Sequence, residues 1–279
     1  LSPDVTPSAP DPDGLLYAEH WEPVLVAPSG RLIERLEERL GGGVPAVILD
    51  VGSGTGSLAL AAAERWPDAG IVGLDASVGM LSVARHRAGA RWRELDGRFR
   101  WHAADAAAMP LGDASIDLAV SSFVLQLVDD RRAVLREIGR VLRPDGLLGF
   151  VTWLRDDAWM APDAEFDEAV YDLELEDPEG DARGSTEQEY ESPEEAAADL
   201  AATGFTGIEV RLDTLEFGWQ RADYLAFKVE YDERDLLDSL TPTDRARVLA
   251  SVEERWTALP DDAFILRAPL VSATACRPG

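Results

Sequence analysis

Apolar runs and polar breaks alternate along the chain with the rhythm of an α/β protein. Val47-Ile48-Leu49-Asp50-Val51 is a short β-rich run of the kind expected for a strand buried on both faces. The glycine-rich Gly52–Gly56 follows it, and Ser57–Trp66 then reads as a helix rich in Ala and Leu. Ile71–Leu74, Phe99–Ala103, Ile116–Ser121 and Leu147–Trp153 are further strands, with Val78–Arg87 predicted as a helix. Asp129-Asp130 caps another helix, whose inner stripe is Val134, Ile138 and Val141/Leu142. Arg143–Gly146 reads as a turn. Five strands alternating with helices at short spacing predict βαβ units with right-handed crossovers, hence a doubly wound, Rossmann-like, mostly parallel sheet.

Outside 47–153 the rhythm changes. Residues 1–14 hold Pro and Asp without apolar periodicity and are expected to form a disordered tail. Residues 15–46 are an N-terminal helical arm: Leu32, Ile33, Leu36 and Leu40 recur at helical spacing, and Gly41-Gly42-Gly43 stops the helix. Residues 154–191 read as an acidic insertion, with a helix near Pro162–Leu173 followed by a loop. Residues 192–279 complete the sheet. Ser192-Pro193-Glu194-Glu195 opens a helix, Ile208–Phe217 and Ala263–Ala275 read as strands, and cap helices are expected over 221–259.

Composition narrows the function. The formal net charge of −27 repels phosphate backbones and anionic headgroups, so neither nucleic acid nor a membrane surface is expected as a partner. No apolar stretch approaches the length of a membrane span, and 1–14 lacks the basic and apolar regions of a secretory signal. A lone cysteine, Cys276, permits no disulfide framework and no cysteine metal site, and no histidine pair has ligand spacing. A cytoplasmic location is expected, and the oligomeric state is not legible.

Candidate chemistry gathers at Asp50–Gly56. A strand running through glycines into a helix brings backbone close to a ligand at a helix N-terminus. The pattern Asp50-x-Gly52-x-Gly54-x-Gly56 departs from the dinucleotide fingerprint, and a carboxylate at Asp50 repels a pyrophosphate but suits a cationic amino-acid group. Asp75 ends the second strand, where an acid accepts hydrogen bonds from ribose hydroxyls. Asp105 ends the third, where it can meet an adenine amino group. The plainer alternatives are a tight ligand-free turn for the loop and capping roles for the two acids.

These segments resemble one family. VILDVGSGTG (47–56), GLDASVGML (73–81), ADAAAMP (104–110), IDLAVSSFVLQLVD (116–129) and IGRVLRPDG (138–146) look like successive motifs of the class I S-adenosylmethionine-dependent methyltransferases, in their type 11 or UbiE-like small-molecule branch. The resemblance covers Val47–Trp153 and implies a seven-stranded sheet with an added helical cap. It implies that Asp50 and Gly52, Ser53, Gly54 and Gly56 hold the methionine moiety of S-adenosyl-L-methionine. Asp75 would take the ribose, Ala76 and Met80 the adenosine, and Asp105 with Ala106 the adenine edge. Ser121 and Ser122 would face the methyl-donor side, with strand-end packing as the alternative.

The implied activity is in-line methyl transfer to a small, apolar or aromatic molecule. Candidate catalytic groups are Tyr17, His20 and Gln126; the last stands where many relatives carry histidine, which weakens the case for a base there. His86 reads as a solvated group and His102 as structural filling. Trp153–Met160 and Phe217-Gly218-Trp219 are candidate pocket walls. The competing readings are an NAD(P)-dependent oxidoreductase, opposed by the glycine spacing and the lack of a Tyr-x-x-x-Lys pair, and a non-catalytic S-adenosylmethionine-binding protein.

Overall fold

A computed structural model describes residues 9–92, 97–156, 160–172 and 188–279. The chain forms two compact units: Leu1–Arg155, Thr186–Asp213 and Pro269–Gly279 make the first, and Asp156–Ser185 with Thr214–Ala268 make the second. The acidic insertion is thus divided, since Tyr190 and the following helix belong to the first unit.

The sheet has seven strands in the order β3-β2-β1-β4-β5-β7-β6. They are β1 (Val47–Val51), β2 (Gly70–Asp75), β3 (Phe99–Ala103), β4 (Ile116–Ser122), β5 (Leu142–Trp153), β6 (Thr206–Gly218) and β7 (Ile265–Cys276). β1 pairs in parallel with β2 and β4, β2 with β3 and β4 with β5, whereas β7 runs antiparallel to β5. The chain winds outward from β1 to β3, returns to β4 beside β1, and winds outward again. The topological switch therefore lies between β1 and β4. Ile48, Leu49, Val51, Leu118, Ala119 and Val120 are fully enclosed, which is why these strands read as mostly apolar runs. Each Leu, Ile or Val so buried contributes roughly 1.5–3 kcal/mol.

Helices α3 (Ser57–Arg65), α4 (Val78–Arg91), α5 (Arg131–Val141) and α7 (Pro193–Ala202) belong to this unit. The predicted caps are present: Asp130 Oδ1 accepts from the Ala133 N–H, and Ser192 Oγ from the Glu195 N–H.

Three expectations change. The arm is two helices, α1 (Pro12–His20) and α2 (Glu22–Leu40), so order begins inside the stretch expected as a tail; residues 1–8 lie outside the described residues. Asp11 caps α1 through the Gly14 N–H, and Pro12 takes the first helical position. The turn at Arg143–Gly146 is a bulge within β5, because Leu142 already pairs with Ile116 before the register jumps to Leu118↔Leu147. Asp145 there has φ 62, and its N–H donates to the Arg277 carbonyl. The first of the cap helices expected over 221–259 is broken into α8 (Arg221–Phe227), a π-helical turn over Lys228–Asp232, and α9 (Arg234–Ser239).

In the second unit, α6 (Ala161–Tyr171) and α10 (Pro242–Thr257) pack beside α8 and α9 around Phe166, Tyr224, Phe227, Trp256 and Phe264. The Trp256 Nε1–H donates to the Pro162 carbonyl at 2.9 Å. Phe217 and Trp219 pack edge-on to each other, and Trp219 also meets Tyr224 and Phe227, so both join this aromatic cluster. The predicted loop over 174–187 lies outside the described residues, as does Trp159 of the candidate pocket wall.

Candidate cofactor-binding site

The glycine loop leaves β1 at the switch point, the place in open α/β sheets where ligands bind. Gly52, Gly54 and Gly56 all have positive φ, at 69°, 51° and 87°. At Gly52 the demand is also steric, since a Cβ would lie 2.1 Å from Val124 Cγ2. The Gly52 and Ser53 N–H groups both donate to the Leu74 carbonyl, fastening the loop to the end of β2. Trp101 of β3 supports this seat: a Cβ at Gly73 would fall 2.2 Å from its ring. Ser53 Oγ lies against that same point of β2, buried and without a hydrogen-bond partner.

Asp50 is 1% exposed, and neither carboxylate oxygen has a hydrogen-bond partner. Burial raises its pKa to about 8, and repulsion from Asp75 adds to this; the Ala59 N–H, which forms no hydrogen bond to it by geometry, offsets only part. An enclosed, unpaired carboxylate is costly, and a cationic group placed beside it removes that cost. The donor set therefore fits a cofactor carrying positive charge and no phosphate.

Asp75 is half-buried and already oriented: Oδ2 accepts from the Gly54 N–H and Oδ1 from the Ser77 N–H, each at 2.8 Å. Each oxygen keeps a lone pair for a hydroxyl. Asp105 is exposed, and its Oδ1 accepts from the Ala107 N–H at 2.8 Å. The capping and ligand roles of these acids are compatible. Ala76 is exposed beside Asp75, Met80 is half-buried one turn into α4, and Ala106 is buried behind Asp105.

The β4 end is differently engaged. Ser121 Oγ donates to the Val51 carbonyl, tying β4 to β1. Ser122 Oγ shares a 2.8 Å hydrogen bond with Ser29 Oγ, and Ser29 Oγ donates in turn to the Leu25 carbonyl. Gln126 donates through Nε2 to the Phe123 carbonyl and accepts from Thr152 Oγ1. Both ends of its carboxamide thus brace the turn at Phe123, whose φ is 56°. These three residues have structural duties the motif did not announce.

Helix α1 carries Tyr17 and His20, both half-buried. It starts against α4, where the Asp11 N–H donates to Ser82 Oγ and Gly14 meets Val83 and Met80. It ends at Trp21, whose ring lies 6.4 Å from that of Trp153, which in turn packs 4.7 Å from Phe123. Of the other histidines, His86 is exposed and His102 half-buried.

One cluster has no counterpart in the motifs. Glu22, buried at the start of α2, accepts from both Arg87 guanidinium nitrogens at 2.7 and 2.9 Å, and from Thr55 Oγ1 at 2.5 Å. Arg87 also donates to the Thr55 carbonyl. No local signal marks a pair 65 residues apart; Arg87 reads as an ordinary surface arginine. Among the described residues, no group of His, Cys, Asp and Glu is arranged to hold a metal, and no helix is long and apolar enough to cross a membrane.

Residues 49–150 match the family described as Methyltransferase domain. The chain is 36% identical over 182 residues to a malonyl-[acyl-carrier protein] O-methyltransferase of Geobacter sulfurreducens, covering 64% of each. It is 42% identical over 101 residues to a ubiquinone/menaquinone biosynthesis C-methyltransferase UbiE of Dinoroseobacter shibae, covering 36% of this chain and 40% of that one. The chain spans less than two thirds of the length of these curated relatives. In fold it resembles the YcgJ protein of Bacillus subtilis, with a TM-score of 0.58 and 18% identity over 89% of this chain and 99% of that one. It also resembles the [4+2]-cyclase SpnF, with a TM-score of 0.55 and 22% identity over 99% and 100%.

Proposed function

We propose, from the premise that residues 49–150 belong to the class I S-adenosylmethionine-dependent methyltransferases, that this chain methylates a small molecule. The observation that carries the proposal is Asp50, an enclosed carboxylate without a partner at the root of the glycine loop. It favours a cationic, phosphate-free cofactor over a nicotinamide dinucleotide.

S-adenosylmethionine, when bound, would supply a methyl group activated by the sulfonium charge: an acceptor lone pair forms the new bond to the methyl carbon as the C–S bond breaks and S-adenosylhomocysteine leaves. The protein's part is mainly to align and to exclude water. Asp50 and the loop backbone hold the methionine end, Asp75 the ribose, and Asp105 with Ala106 the adenine edge. Trp21, Phe123 and Trp153 give the β4 and β5 end an apolar lining. Tyr17 and His20 are the candidates to move a proton where the acceptor carries one; Gln126 is committed to bracing.

The acceptor class follows from charge and lining. The chain carries a formal net charge of −27. Such a field disfavours a substrate delivered on an acidic carrier and favours a free acceptor that is neutral and apolar, aromatic or cationic. A cytoplasmic location suits such an enzyme.

Titration calorimetry with S-adenosylmethionine, S-adenosylhomocysteine and NAD tests the cofactor: the first two should bind and NAD should not. Binding of NAD alone overturns the reading. Methyl transfer from a labelled donor into a metabolite extract tests catalysis, because the fold also serves the [4+2]-cyclase and does not fix the reaction. Binding without any labelled product favours the non-catalytic alternative.

A further inference from the structure

We propose that Glu22 is a positioning residue that joins the N-terminal arm to the glycine loop, so that closing the arm and holding the cofactor become one equilibrium. The inference rests on the loop being the cofactor site.

Glu22 takes the first position of α2, where an acid is favoured by the helix dipole, yet its side chain is only 9% exposed. A carboxylate so enclosed needs partners, and it has three donors: both forks of Arg87 on α4 and the hydroxyl of Thr55. Thr55 is 1% exposed and stands between Gly54 and Gly56, the most freely jointed stretch of the loop. Its hydroxyl is held by Glu22 and its carbonyl by Arg87. The clamp therefore fixes the one side chain that can anchor those two left-handed joints.

The residue before Glu22 is Trp21, at the junction of α1 and α2, which leans on Trp153 at the end of β5. The junction is thus gripped by charge toward the loop and by aromatic packing toward the acceptor side. Swinging α1 away together with the first turn of α2 displaces Glu22, leaving Arg87 without its fork partner and Thr55 Oγ1 without its acceptor. A ligand that needs the loop in its present shape must then favour the closed arm, and by linkage anything that closes the arm tightens the cofactor by the same factor. A purely structural Glu22 would stabilise the fold equally with and without cofactor.

The test compares the full-length protein with Thr55→Val and Glu22→Gln, using calorimetric affinity for S-adenosylhomocysteine and hydrogen exchange over residues 12–24, free and saturated. Thermal melts check that each variant is folded. In the unaltered protein, saturation should slow exchange over 12–24. Thr55→Val removes the hydroxyl bond from the loop to Glu22 but leaves the Glu22–Arg87 pair and the Arg87 bond to the carbonyl of residue 55. It should bind about tenfold more weakly, as for one lost charge-assisted hydrogen bond, and show a correspondingly smaller slowing when saturated. Glu22→Gln should bind at least as weakly and exchange faster over 12–24 even without ligand. Full slowing in saturated Thr55→Val, or affinities within about twofold of the unaltered protein, overturns the clamp while leaving the cofactor reading intact. A folded unaltered protein that does not bind S-adenosylhomocysteine overturns the cofactor reading and the clamp with it.

Discussion

Two buried ionisable groups in this chain are treated in opposite ways. Lys228, its only lysine, is 3% exposed on the π-helical turn and is met by Asp163, Asp232 and Glu233, with the Phe166 ring 5.0 Å away. Burial alone would lower its pKa, but the three carboxylates more than reverse this, Asp232 most strongly, and it stays charged. Asp50 is at least as deeply enclosed and has no partner. The first arrangement is complete and needs nothing from outside the chain. The second is incomplete in a way that a cationic ligand completes. That contrast separates a structural ion cluster from a binding group more sharply than burial or charge does alone.

The largest effect should come from breaking the complete cluster. Lys228→Met leaves three carboxylates without their common cation and should cost about 3–5 kcal/mol of fold stability, read from denaturant melts of the whole chain. A loss too small to resolve would mean the cluster is solvated and the contrast false.

Next is the incomplete group. Asp50→Asn should weaken S-adenosylmethionine binding by about 2–4 kcal/mol, because the ligand's positive charge is then buried without its counter-charge. The same change should not destabilise the unliganded protein. With the folded pKa of Asp50 raised to about 8, the folded state binds more protons than the unfolded state over the interval between the ordinary carboxylate range and that value. Stability of the unliganded protein should therefore fall as pH rises through that window and level off above about 8, and Asp50→Asn should flatten the slope. Melting temperatures across pH decide it.

Asp75 lies between the two cases, half-satisfied by the Gly54 and Ser77 N–H groups. Asp75→Ala should lower S-adenosylmethionine affinity by about 1–3 kcal/mol, part of it through a looser loop. Unchanged affinity by calorimetry would remove Asp75 from the site.

What the sequence disclosed and what it hid follow one physical line. The positive φ at Gly52, Gly54 and Gly56 is a local demand, met by residue type, so the loop is legible. Strands enclosed on both faces announce themselves as apolar runs, and Asp75 is found because it ends one. Features made by distant pairing leave no such mark. Glu22 and Arg87 meet only through the fold, as do Lys228 and Asp163, and Gln126 becomes a brace only once Thr152 lies opposite. The bulge over Arg143–Gly146 has the local composition of a turn, while pairing of Leu142 with Ile116 and of Arg277 with Gly146 keeps it within the sheet. The start of α1 at Pro12 falls inside the expected tail although Asp11-Pro12 is a local helix-start pair; the part with no local mark is the docking of Asp11 and Gly14 on α4, 71 residues on in the case of the Asp11–Ser82 bond.

The central claim is that Asp50 ionises to meet a cationic cofactor. Calorimetric titration of S-adenosylmethionine at neutral pH, in buffers of different ionisation enthalpy, counts the protons released on binding. The unaltered protein should release most of one proton more than Asp50→Asn does. Equal proton release from the two proteins, with both binding, would contradict the claim.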